Sequence, residues 1–81
     1  MFKVGKILNY YGKTTISIVE LDGTLSVGDR IIFSRDGNTL FEQVVELIQI
    51  GHEKVDSVDR GNMIGLKTNE EVQKGDEIYK I

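Results

Sequence analysis

Apolar and polar residues tend to alternate in short runs along this chain, and most runs end at a Gly with an Asp or Asn beside it. That period belongs to half-buried strands. Phe2 to Leu8 places Phe2, Val4 and Leu8 on one strand face and Lys3 and Ile7 on the other, with Gly5 expected to mark a bulge or a close backbone approach. Lys13 to Leu21 reads as a second strand, closed by Asp22-Gly23, and Arg30 to Ser34 as a third. Asp36-Gly37-Asn38 is a hairpin signal that leads into a fourth. Asn62 to Thr68 and Glu77 to Ile81 follow, with a short strand over Val55 to Val58. Turn clusters about ten residues apart predict roughly six or seven strands in a small sandwich or barrel.

One segment breaks the pattern. From Leu40 to Ile50, the residues Phe41, Val44, Val45 and Ile48 fall at helical spacing, with Glu42, Glu46 and Gln49 opposite. Thr39-Leu40-Phe41-Glu42 fits a capping box, and Gly51 stands where a C-terminal cap would. Against a helix stand the β-branched Val44, Val45, Ile48 and Ile50 and the hairpin turn just before. The residues alone leave helix and strand both open here.

Composition sharpens the class. Val and Ile number 18 against 6 Leu, and Ala is absent, a bias toward side chains that suit a pleated surface. Eighty-one residues allow one domain, residues 1–81. Without Cys there is no disulfide or thiolate metal site, and without Pro the strand edges cannot be blunted by it, so closure into a barrel would remove the problem. Gly aside, no apolar run exceeds Ile31-Ile32-Phe33, which excludes a membrane span.

The net charge of −3 is unevenly placed: residues 1–19 hold three Lys and no acid, while the rest hold seven basic and thirteen acidic residues. Lys3, Lys6 and Lys13 with Tyr10 and Tyr11 put cations beside stackable rings, the combination used on single-stranded RNA. Three Lys support only weak contact, and the acidic balance favours a protein partner.

Gly28-Asp29, Gly61-Asn62 and Gly75-Asp76 share a Gly, a short polar residue and then an apolar residue two positions later. Gly can take positive φ at such a turn, and the polar side chain can bond a nearby backbone N–H. A Ca²⁺ site would need several more oxygens at close loop spacing, so these residues read as structural turns.

In order, Leu25-x-Val27-Gly28-Asp29-x-Ile31, Arg60-Gly61-Asn62-Met63-Ile64-Gly65-Leu66 and Gly75-Asp76-x-Ile78-Tyr79 resemble the second domain of translational GTPases of the elongation factor Tu type. Phe41-Glu42-Gln43-Val44-Val45-Glu46-x-x-Gln49-Ile50-x-His52 more closely resembles the C-terminal barrel of the collagenase-like peptidase family, which also includes proteins of tRNA and ribosomal RNA modification. Both resemblances imply an all-β fold, a small closed antiparallel β-barrel in which Leu40 to Ile50 is a bulged strand. No Gly-x-x-x-x-Gly-Lys-Ser/Thr loop is present, so no GTP site is expected. The elongation-factor pocket for the aminoacyl end of tRNA carries a Glu and, three residues on, an Arg. The resemblance puts Gln49 and His52 at those positions, and Met63 where that family has Asn. An amide, an apolar side chain and an imidazole suit a polar-rimmed protein interface, so Gln49, Ile50 and His52 are the expected partner-binding residues.

His52 is the only His, and Ser17, Ser26, Ser34 and Ser57 sit in no nucleophile elbow, so no catalytic residue, metal or cofactor is expected. The expectation is a non-catalytic, cytoplasmic binding module that docks on a protein or RNA component of translation or RNA modification, with weak single-stranded RNA or tRNA contact at most. The alternative is a detached C-terminal accessory domain of a collagenase-like peptidase-family protein.

Overall fold

The β-branched alternation resolves into ten strands and no helix in a computed structural model that describes residues 1–81. They are β1 (Phe2–Tyr11), β2 (Ile16–Leu21), β3 (Leu25–Ser26), β4 (Arg30–Arg35), β5 (Asn38–Val44), β6 (Ile48–Ile50), β7 (Glu53–Val55), β8 (Ser57–Val58), β9 (Met63–Lys67) and β10 (Glu77–Lys80). Eight form one sheet in the order β5-β4-β10-β1-β2-β9-β6-β7, and β3 pairs with β8 in a small second sheet. All ladders are antiparallel. With no helix at all, none is long and apolar enough to cross a membrane.

The expected closed barrel of six or seven strands is corrected in two respects. The strand count is higher, because the short β3 is added, the expected strand over Leu40 to Ile50 divides between β5 and β6, and the expected short strand over Val55 to Val58 divides between β7 and β8. The sheet also wraps without a closing ladder. Its first strand, β5, and its seventh, β6, are consecutive in the chain, separated only by Val45, Glu46 and Leu47. Leu40 to Ile50 is therefore extended, as expected against its helical period, but it is two strands with a break and not one bulged strand.

At the break, the backbone of Val45 leaves the ladder and bonds to the turn before β4: Gly28 N–H donates to Val45 O and Val45 N–H to Asp29 O, both at 2.8 Å. Across the seam, the buried Gln43 takes the place of a strand. Its Nε2 donates to Lys67 O at 2.9 Å, and its Oε1 accepts from Asn69 N–H at 2.7 Å. Beyond the break, Lys67 N–H reaches Leu47 O at 3.2 Å and pairing resumes at Ile48 opposite Leu66.

Two register slips shape β1, one between Lys3 and Gly5 and one between Ile7 and Asn9. They shift the alternation, so Val4 and Ile7 face the core together while Phe2 is 74 % exposed. The expected shared face of Phe2, Val4 and Leu8 is corrected accordingly. Gly5 allows the close approach: a Cβ there would stand 2.9 Å from both Glu20 O and Val19 Cγ1. Inside, Phe33 stacks on Phe41 with ring centroids 4.5 Å apart, among Ile7, Val19, Ile31, Leu66 and Ile78.

Gln43→Leu keeps the side chain's bulk and deletes both seam bonds, which leaves Lys67 O and Asn69 N–H without these partners. We expect a loss of about 2 kcal/mol in chemical denaturation, the cost of two polar groups left unpaired in a part-buried seam. A loss no larger than that of a surface substitution, about 0.5 kcal/mol, would show that the seam is held elsewhere.

Candidate functional site

Strand residues directly opposite one another share a face, and the outer face of four neighbouring strands carries a row that is unusually apolar. Tyr11 of β1 lies opposite Ile16 of β2, and Ile18 of β2 opposite Gly65 of β9, which in turn lies opposite Gln49 of β6. Along β2 the polar and apolar roles are exchanged. Ser17 faces inward, fully buried and hydrogen-bonded to Thr68 Oγ1 at 3.4 Å, while Ile16 and Ile18 face outward and are only partly covered.

Gly65 turns that row into a groove of about 580 Å³. Its missing side chain leaves a depression in which an added Cβ would meet Ile16 Cγ2 at 3.3 Å and Gln49 Cβ at 3.6 Å. Tyr11 and Met63, 52 % and 64 % exposed, stand at the walls with Gln49, Thr14 and His52. His52 reaches this position from the β6–β7 turn, where Gly51 takes a φ of +63° that an L side chain adopts only at a cost. The lining combines an apolar floor with an amide, a phenol, a hydroxyl and an imidazole, which suits a neutral contact that is partly hydrogen-bonded.

Of the expected partner-binding residues, Gln49 and His52 line the groove and Ile50 does not. Ile50 alternates to the other side of β6, opposite Glu53, and is 41 % exposed there. The five residues expected to meet RNA are dispersed. Lys3 is held by Glu77 at 3.2 Å and Asp22 at 3.8 Å. Lys6 lies in register between Glu77 and Glu20. Tyr10 packs on the core, Tyr11 enters the groove, and Lys13 lies in the β1–β2 turn. Sequence reasoning missed Ile16, Ile18 and Gly65 as site residues. A signal was present in Ile16-Ser17-Ile18-Val19, where Ile16 and Ile18 share one face and Val19 stands on the other, so that neither face of the strand is simply polar.

The Gly-Asp turns share one geometry. Gly28, Gly61 and Gly75 take φ of +97°, +88° and +94°. Asp29 Oδ2 accepts from Ser26 N–H and Asp76 Oδ2 from Gln73 N–H, each at 2.8 Å, whereas Asn62 Nδ2 donates to Asp59 O at 3.0 Å. Asp76 is almost wholly buried and also takes Arg35 Nε and Nη2, both at 2.8 Å, in a two-pronged pair. Burial pushes its carboxyl pKa up, but the Arg35 guanidinium and the Gln73 N–H outweigh that and hold it below the usual carboxylate range. Nowhere do three or more His, Asp or Glu side chains gather in a way that could hold a metal ion.

No family model matches the chain. It is similar to an uncharacterized protease of Methanocaldococcus jannaschii, 32 % identical over 77 residues, which covers 95 % of this chain and 19 % of that protein. The chain thus spans about a fifth of the length of the curated relative it matches. Among solved structures, the C-terminal domain of a "putative U32 peptidase" of Geobacillus thermoleovorans superposes with a TM-score of 0.89 at 21 % identity, over 99 % of this chain and 92 % of that one. The selenomethionine variant of the same domain gives 0.88 at 22 % identity, over 99 % of each chain. The fold is that of this C-terminal domain.

Because the pKa of Asp76 is lowered on folding, its stabilising contribution is fully present above the unfolded value, about 3.9, and is lost as pH falls through the lower folded value. Asp76→Asn should cost about 2 kcal/mol at neutral pH and flatten the acid limb of a stability-against-pH curve. An acid limb as steep as that of the unaltered chain would assign acid unfolding to other carboxylates.

Proposed function

We propose that this chain is a non-catalytic accessory domain that docks on the catalytic body of a peptidase-family protein. The observation that carries this reading is the extent of the match: 99 % of this chain superposes on 99 % of a domain described as the C-terminal part of a larger peptidase. The similarity to about a fifth of the M. jannaschii protease points the same way. The side-chain chemistry is consistent with a supporting role, since a chain with one imidazole and no thiol has little from which to assemble a nucleophile and its base. Docking on translation machinery draws no support from these protease and peptidase relatives, and neither Gln49 nor His52 keeps the Glu and Arg of the elongation-factor pocket.

Two measurements test this. The purified chain should release no fluorescence from labelled casein, and calorimetry against the catalytic part of a peptidase-family protein from the same genome should give a Kd of about 10 µM or tighter. Casein hydrolysis that His52→Ala abolishes would overturn the non-catalytic reading. Absence of both heat and co-elution at about 100 µM would overturn docking.

A further inference from the structure

Cations are distributed over this molecule in two distinct ways. Around β4, β5 and β10, four are paired, Arg30 with Glu42, Arg35 with Asp76, Lys80 with Asp29 at 3.2 Å and the neighbouring Lys3 with Glu77, while Lys6 and Lys74 are not. Around the groove they are free. Lys67 lies opposite Ile16, Lys54 opposite Gln49, and Lys13 in the turn after Tyr11, and none of the three takes part in an ion pair. Lys67 Nζ has only the hydroxyl of Thr15, at 3.4 Å. The apolar groove of this acidic protein thus has unneutralised lysines beside Ile16 and Gln49 and one carboxylate, Glu20, beside Met63.

We infer that the groove takes an extended, acidic peptide segment, with one large apolar side chain seated over Ile16, Ile18 and Gly65 and flanking carboxylates reaching Lys54 and Lys67. The volume of about 580 Å³ accommodates one such side chain and its neighbouring backbone. Gln49, the Tyr11 hydroxyl and His52 supply donors and acceptors for that backbone. Charge complementarity selects an acidic segment over a neutral or basic one. RNA is disfavoured on the same face, because Tyr10 is packed on the core and of the two tyrosines only Tyr11 is offered to a base. This inference rests on the docking reading and names the chemistry of the docked segment.

The test is fluorescence anisotropy on the whole chain. The probe is a fluorescein-labelled heptapeptide with a central Phe between Asp-rich flanks. The comparators are the same peptide with Lys flanks, the same peptide with a central Gly, and a five-nucleotide single-stranded RNA. The acidic Phe peptide should bind at least about tenfold tighter than each comparator, and Lys54→Glu with Lys67→Glu should weaken it about tenfold or more at unchanged melting temperature. Lys13→Glu is the second variant if that pair unfolds. Comparable binding of the Lys-flanked peptide, tighter binding of the RNA, unaltered binding by the folded variant, or no binding up to about 1 mM each overturns the proposal. A folded double variant that still docks on the peptidase body would overturn the groove as the docking site and leave docking itself standing. An unaltered chain that takes the peptide but does not dock would overturn the docking reading alone.

Discussion

A curled antiparallel sheet must do something with the two edges it brings together, and in this chain one side-chain amide does it. Gln43 carries the same donor and acceptor as a peptide group, and it offers them to Lys67 O and Asn69 N–H across the seam. The backbone on its own side is thereby released from pairing and can bend at Val45, Glu46 and Leu47 to bond Gly28 and Asp29. That bend places Ile48 opposite Leu66, which sets the register of the β6–β7 hairpin. The positions of Gln49 and His52 on the groove are consequences of that register. A ladder in place of the amide would have carried β5 straight on past β9, with no hairpin at the rim.

The same residue explains where the sequence was hard to read. Phe41, Gln43 and Val45 point inward at strand spacing, but a Gln at the middle position hides the alternation. The break then moves the next inward residue to Ile48, so the visible apolar set, Phe41, Val45 and Ile48, mimics a helical period. Most other strands were legible because their inward residues are plain Val, Ile or Leu and their turns carry Gly. The groove was only half legible. Gln49 and His52 came from a resemblance, while Ile16, Ile18 and Gly65 need the cross-strand register, which depends on bulges that no local pattern fixes.

The turns at Gly28 and Gly75 show how charge is divided between structure and surface. Each Asp there closes its own turn and then pairs with a distant cation: Asp76 with Arg35 of β4, and Asp29 with Lys80 of β10. A carboxylate already held by a backbone N–H needs little further ordering to meet a cation, which favours such pairs over mobile surface ones. The consequence is that Arg35, Lys80, Asp29 and Asp76 are committed to the fold of this half of the sheet. In the half formed by β2, β9, β6 and β7, the corresponding turn at Gly61 carries Asn62 in place of an Asp, and Lys54 and Lys67 remain outside any ion pair.

Gly65 is the position at which the groove departs most clearly from what the fold needs. Its φ lies outside the left-handed region taken by Gly28, Gly51 and Gly75, so the backbone there does not call for glycine. An added Cβ would press on Ile16 Cγ2 at 3.3 Å, so that this side chain would have to give by a few tenths of an ångström, whereas one at Gly5 would collide with the Glu20 carbonyl. Glycine inside a strand gives up roughly 0.5–1 kcal/mol relative to Ala. Two outward Ile side chains beside it add apolar surface exposed to water, which stabilises nothing in the isolated chain. A side chain at 65 would fill the depression beside both. The arrangement makes physical sense when the depression and its apolar floor are covered by something outside this chain, and Gly65 is what keeps the space open for it.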